Sequence, residues 1–134
     1  MMTLNTTQIS EPDEIRSTPI RYRAKESSKT RNTTHHLVSC GEIEVGFLSL
    51  DSRRDLNCLV LYEIFVPREL RRQSIGTQII LQVSRMAKQQ EFSAIRVLPL
   101  AFENDWPQEE LVSWYLSQGF TPIVEDSREL EMRL

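Results

Sequence analysis

Several protein classes are excluded by what this sequence has little of. It holds two cysteines, Cys40 and Cys58, too far apart for a CxxC pair and too few for a disulfide framework. Both read as small core hydrophobes in a reducing compartment, so a cytoplasmic location is the expectation. No apolar run approaches the roughly 18 residues of a membrane span, and no membrane partner is expected. Met1 to Ile15 has no basic start followed by an apolar stretch, which argues against a secretory signal. Glycine is scarce, at four residues, and none builds a P-loop or a GxGxxG dinucleotide turn. His35 and His36 can be drawn with Cys40 as a metal site. The spacing fits no common zinc pattern and a fourth ligand is missing, so no metal is expected.

Basic charge is also short where it would matter. The net charge is −3, and residues 35–134 carry ten basic against fifteen acidic side chains. Residues 1–34 carry six basic and four acidic ones. An acidic folded part disfavours nucleic acid, whose phosphates demand a basic face. It favours a cationic partner such as an amine.

What is present suits one domain. The chain has 134 residues, 40% hydrophobic and 26% charged. Residues 1–19 are polar and aperiodic and read as a mobile tail, leaving 20–134 as the single domain. Ile20, Tyr22 and Ala24 alternate with charged residues over Ile20–Lys25, the pattern of a strand. Residues 26–34 read as a polar connector, or as a lid or substrate loop. Residues 36–39 and 43–50 make two strands around a Gly41-Glu42 turn, with Ile43, Val45 and Phe47 on one face. Cys58 to Val66 is apolar on both faces and reads as a central strand closed by Pro67. Ile75, Ile79, Ile80, Val83, Met86 and Ala87 recur at helical spacing and predict a helix over 75–90. Ala94–Pro99 reads as a strand. A second helix is expected from near Asp105, with Gln108 completing a capping box and Leu111, Trp114 and Tyr115 buried. Trp106 and Trp114 read as core or pocket walls. Gly119 suits a left-handed helix end, and strands at 121–124 and 129–134 close the chain. The fold class is α/β: a mixed sheet with helices packed on it.

The informative segment is Val66-Pro67-Arg68-Glu69-Leu70-Arg71-Arg72-Gln73-Ser74-Ile75-Gly76-Thr77. A buried strand ends, a basic loop follows and an amphipathic helix begins. Unpaired N–H groups and the positive end of the helix dipole favour an anion such as a pyrophosphate. Gly76 admits close approach to the backbone, and Arg71 and Arg72 add charge. A plain strand–loop–helix connection with solvated arginines reads equally well on this segment alone.

Arg71-Arg72-Gln73-Ser74-Ile75-Gly76 resembles the Q/R-x-x-G-x-G/A signature of the GNAT superfamily of N-acetyltransferases, with Ser74 at the first glycine. Ser113-Trp114-Tyr115-Leu116-Ser117-Gln118-Gly119-Phe120 resembles the family's aromatic-Tyr-x-x-x-Gly-Phe ending. Gly41-Glu42-Ile43-Glu44-Val45-Gly46-Phe47 is similar to its hairpin. The three occur in family order over about residues 36–134. The resemblance implies a mixed, mostly antiparallel sheet flanked by helices, acetyl-CoA as co-substrate and an amine acceptor. Homodimers are common in the family, which leaves a dimer open here.

The resemblance also implies roles. Ile64, Phe65 and Val66 would hold the pantetheine arm through main-chain bonds, with an N–H near Ile64 facing the oxyanion. Arg71, Arg72, Gln73, Ser74, Ile75, Gly76 and Thr77 would cradle the pyrophosphate, and Gln108 stands where a cofactor-contacting Asn is common. Tyr115 would protonate the departing thiolate, although its helical spacing also suits a core tyrosine. Glu63, the charged residue within Cys58–Val66, is the candidate base, since apolar neighbours raise a carboxyl pKa. It reads alternatively as a strand-end carboxylate or an arginine's ion-pair partner. Gln108 reads alternatively as a helix cap. The rival functions are a non-catalytic acyl-CoA-binding or interaction module and an unrelated α/β binding protein.

Overall fold

A computed structural model describes residues 3–100 and 107–134, and among these every side chain except those of Arg72 and Gln73. The elements run β1 (Asn5–Ile9), α1 (Thr18–Glu26), β2 (Thr33–Cys40), β3 (Ile43–Arg53), β4 (Cys58–Phe65), α2 (Ile75–Gln89), β5 (Ala94–Val97), α3 (Gln108–Ser117), β6 (Thr121–Pro122) and β7 (Leu130–Arg133). Short 3-10 turns lie at Pro12–Glu14 and Arg68–Gln73. Among the described residues seven strands form one sheet in the order β1-β2-β3-β4-β5-β7-β6. The β4–β5 pair is parallel, with α2 crossing between the two strands, and the other pairs are antiparallel. The mixed α/β class expected from the pattern is the one observed.

The sheet separates two cores. On one face α2 and α3 set Ile75, Ile79, Val83 and Tyr115 against Leu48, Leu50, Leu59 and Ile95. On the other, α1 sets Ile20 and Ala24 against Ile9, Ile15 and Phe47. β3 is therefore buried on both faces from Val45 to Leu50, whereas Ile43 at its start is 66% exposed. Of the two free cysteines, Cys58 is buried and Cys40 half-buried. No described helix is long and apolar enough to cross a membrane.

The N-terminal third corrects the sequence reading twice. From Asn5 onward the expected tail is folded: β1 pairs with β2 from Asn5↔Ser39 to Ile9↔His35. Leu4, Ile9 and Ile15 are each buried. They lie five or six residues apart, a spacing with no period, yet each reaches apolar surface elsewhere in the fold. The expected strand at 20–25 is helix α1. Ile20 and Ala24 satisfy an alternation and an i,i+4 stripe equally, and Tyr22, which distinguishes the two, is 58% exposed. Pro19 in the first turn suits a helix start. The Glu44 carboxylate on β3 anchors that start by accepting the backbone N–H groups of Arg16 and Ser17.

Elsewhere the bounds shift by a few residues. β2 begins at Thr33, inside the expected connector, and β5 ends at Val97 rather than Pro99. The cap expected at Asp105 and the wall expected at Trp106 lie outside the described residues. α3 starts at Gln108 behind Pro107, and Gly119 takes the left-handed conformation at φ 103°. β6 is only Thr121–Pro122.

Candidate active site

β4 has two neighbours for half its length only. β5 pairs with it from Cys58↔Ala94 to Leu61↔Val97 and then ends, while β3 continues to Phe47↔Phe65. Tyr62 to Phe65 therefore lie beyond the last β5 pair. The β3–β4 register slips between Ser49, opposite Glu63, and Leu50, opposite Leu61, so Tyr62 is an extra residue in β4. Such a bulge bends a strand and re-aims its side chains. Gly46 permits the close fit beside it, since a Cβ there would meet the Phe65 carbonyl oxygen at 2.9 Å. Where the strands part, a groove of about 1320 Å³ opens between α1, the end of β4, the start of α2, and α3.

Glu63 stands in that groove and is 2% exposed. Arg23 of α1 lines the same groove, with Nε 2.7 Å from Glu63 Oε2. Burial pushes the Glu63 carboxyl above the usual range, and the Arg23 charge and Ser27 hydroxyl oppose that shift. Among the sequence alternatives, this arrangement is the ion pair with an arginine. Tyr115 lines the groove from α3 and is 5% exposed. Burial first, and then the Glu63 charge, raises its phenol pKa, so the hydroxyl keeps its proton through neutral pH. Its ring packs edge-on against Trp114 at 4.9 Å and Phe120 at 5.6 Å.

The turn into α2 has a local structure that the sequence only hinted at. The 3-10 turn Arg68–Gln73 delivers the chain to Ser74 at φ 60°, ψ 22°, and α2 follows. This left-handed position strains any residue with a Cβ, which accounts physically for a glycine in the signature. Arg71 Nε donates to the Val66 carbonyl at 2.8 Å, tying the turn to the strand it leaves. Ile75 is 1% exposed, so its side chain belongs to the core rather than to a ligand surface. Ser74, Gly76 and Thr77 line the groove with Ile64, Phe65 and Val66. A Cβ on Gly76 would lie 2.8 Å from Trp114 Cζ2. The close neighbour that this glycine admits is thus the α3 indole. The Arg72 and Gln73 side chains lie outside the described residues.

The acetyltransferase (GNAT) family profile matches residues 3–120. The chain belongs to the GNAT family. No curated protein sequence matches it. Among solved GNAT-like structures it is similar to the IAA acetyltransferase from Bacillus cereus ATCC 14579, at 15% identity and TM-score 0.69 over 98% of this chain and 100% of that one. It is also similar to the PaiA N-acetyltransferase from Thermoplasma acidophilum in complex with coenzyme A, at 13% and 0.62 over 99% and 100%. A third similarity is to the ribosomal-protein-S18-alanine N-acetyltransferase from Escherichia coli, at 12% and 0.67 over 98% and 94%. At such identities the likeness shows the fold. Family and fold together support an acetyltransferase that binds coenzyme A.

Within this GNAT domain Gln108 does not line the groove. Its Nε2 donates to the Pro99 carbonyl at 2.8 Å, fastening α3 to the segment after β5. His35 and His36 are neighbours on β2, 5% and 6% exposed. His36 Nε2 lies 2.8 Å from Thr34 Oγ1, and the His35 ring packs on Phe47. Burial lowers both imidazole pKa values, that of His36 to about 4. Among the described residues no three His, Cys, Asp or Glu side chains gather to hold a metal. The residue that sequence reasoning missed is Arg23, because the stretch holding it read as a strand.

Proposed function

We propose that this GNAT protein is an acetyl-CoA-dependent N-acetyltransferase whose acceptor amine attacks the thioester directly, in the cytoplasm. The observation that carries the reading is the parting of β4 from β5 after Leu61↔Val97. It leaves Tyr62–Phe65 along a groove whose lining also includes Tyr115 on α3 and Ser74, Gly76 and Thr77 at the start of α2. An extended amide-bearing arm fits such a strand edge, because it can pair with main-chain groups as a strand would. The turn into α2 offers N–H groups and the positive dipole end to phosphate.

Acetyl-CoA would supply the thioester carbonyl as electrophile. Glu63 would take a proton from the amine, and its raised pKa brings it nearer to that task. A main-chain N–H near Ile64 would face the developing oxyanion. Tyr115, still protonated at neutral pH, would give its proton to the departing sulfur. The ion pair between Glu63 and Arg23 favours a second reading, an acyl-CoA-binding module without turnover. Thiol release from acetyl-CoA, followed with a panel of polyamines, amino acids, aminoglycosides and peptide N-termini, tests the first reading. Release that depends on one amine class supports it. Tight coenzyme A binding with no amine-dependent release supports the second.

A further inference from the structure

We infer that Arg23 of α1 is a positioning residue for the Glu63 carboxylate, holding the proposed base ionised beside the groove. This rests on the acetyltransferase reading with Glu63 as base. A carboxyl taken out of water favours its neutral form, and a neutral acid accepts no proton. Glu63 lies in that position, its side chain 1% exposed. A guanidinium is never deprotonated in a protein, so Arg23 supplies a positive charge that does not vary with pH. At 2.7 Å, with its own side chain 13% exposed, that charge acts with little screening by solvent.

The fold fixes this charge through two anchors of α1. Glu44 pins the start of α1 through the N–H groups of Arg16 and Ser17. Ile20 and Ala24 press the helix onto Phe47. Arg23 lies one helical turn after Ile20 and next to Ala24, and so falls over β4 where the bulge turns Glu63. Other charges bear on the pair less directly. Tyr115 is neutral at working pH, and Ser27 adds a hydroxyl. The electrostatic environment of the base is thus set by a helix on the far side of the strand from α3 and its candidate acid. The group proposed to take the amine's proton and the group proposed to protonate the sulfur are thus set by different elements.

The test uses the full chain in three variants. Glu63→Gln establishes whether an acid limb in the pH dependence of kcat/KM belongs to Glu63. Arg23→Met removes the charge, and Arg23→Lys keeps a charge on a shorter reach. Acetyl transfer is followed as thiol release with the amine that the acceptor panel selects. In parallel, carbon-13 NMR follows the Glu63 carboxyl in protein labelled at glutamate, which needs no acceptor and reports on each variant that folds. With Arg23→Met the acid limb and the NMR titration should both move to higher pH. At pH values below the limb, kcat/KM should fall about tenfold or more. Arg23→Lys should restore most of both. If Glu63→Gln abolishes the limb while Arg23→Met leaves limb and titration in place, the inference fails and the base assignment stands. If Glu63→Gln leaves the profile intact, the base assignment fails and the inference falls with it. An activity loss uniform across pH in Arg23→Met, matched by lost thermal stability, would make Arg23 a structural strap only.

Discussion

Ser74→Gly tests whether the turn into α2 is strained. At φ 60° and ψ 22° a residue with a Cβ incurs about 1–2 kcal/mol relative to glycine. Glycine removes that cost but gives the unfolded chain more freedom, which returns about 0.5–1 kcal/mol. The Ser74 side chain makes no capping bond, so its removal forfeits no interaction at the helix start. The net expectation is stabilisation by about 0.5–1 kcal/mol, a rise in Tm of roughly 2–4 °C for a chain of this size. Scanning calorimetry on the parent and variant measures it. Calorimetric titration with acetyl-CoA should show equal or tighter binding, because the variant carries the signature's own residue at that place. A lower Tm would refute the strain argument. An unchanged Tm with weaker binding would mean that the serine hydroxyl is itself a phosphate ligand.

Three further outcomes are expected. Tyr115→Phe keeps both edge-on ring contacts, so stability and acetyl-CoA affinity should hold while turnover falls about 10- to 1000-fold; unchanged turnover would leave Tyr115 a packing residue. Gly76→Ala forces a Cβ to within 2.8 Å of the Trp114 ring and should destabilise by about 1–3 kcal/mol in urea unfolding, an expectation that parent-like stability would overturn. Acid should weaken the fold through His36: its folded pKa of about 4 lies below the unfolded value of 6.5, so this contribution is complete above 6.5 and is lost as pH falls toward 4. Between pH 7 and pH 5 the loss should reach about 1–2 kcal/mol, and urea unfolding of His36→Gln should lack it. Glu63, with a raised pKa, acts in the opposite sense, so the difference between parent and variant isolates the histidine.

The sequence was most legible where burial repeats with a strong period. Ile75, Ile79, Ile80, Val83 and Ala87 on α2 are buried as their spacing predicts, and Cys58–Phe65 is the central strand that its doubly apolar pattern implies. The three motif segments fall on the β2–β3 hairpin, the turn into α2 and the end of α3. The first quarter was misread because Ile20 and Ala24 fit two periods and because Leu4, Ile9 and Ile15 fit none. Within the site, Glu63 stood out by its isolation among apolar neighbours. Its partner Arg23 was not legible, being 40 residues upstream and on an element read as a strand. Ser74 was visible as a departure from the signature, but only the backbone angle gives the departure an energy. Gly76 was read as admitting a ligand, and nothing local in sequence indicates that Trp114, on another helix, is its close neighbour.

The early end of β5 also has a mechanical side. The seven strands divide into a four-strand leaf, β1-β2-β3-β4, and a three-strand leaf, β5-β7-β6. The leaves share a seam of four residue pairs, from Cys58↔Ala94 to Leu61↔Val97. Among the described residues no main-chain ladder crosses from one leaf to the other beyond Leu61, and α2, the crossover between β4 and β5, packs its side chains against both leaves. The sheet therefore behaves like a zipper fastened at one end. A molecule that paired with the edge of Tyr62–Phe65 would act as the missing length of strand. Its arrival would appear as slowed hydrogen exchange in β7 and β6, well beyond any atom that it touches.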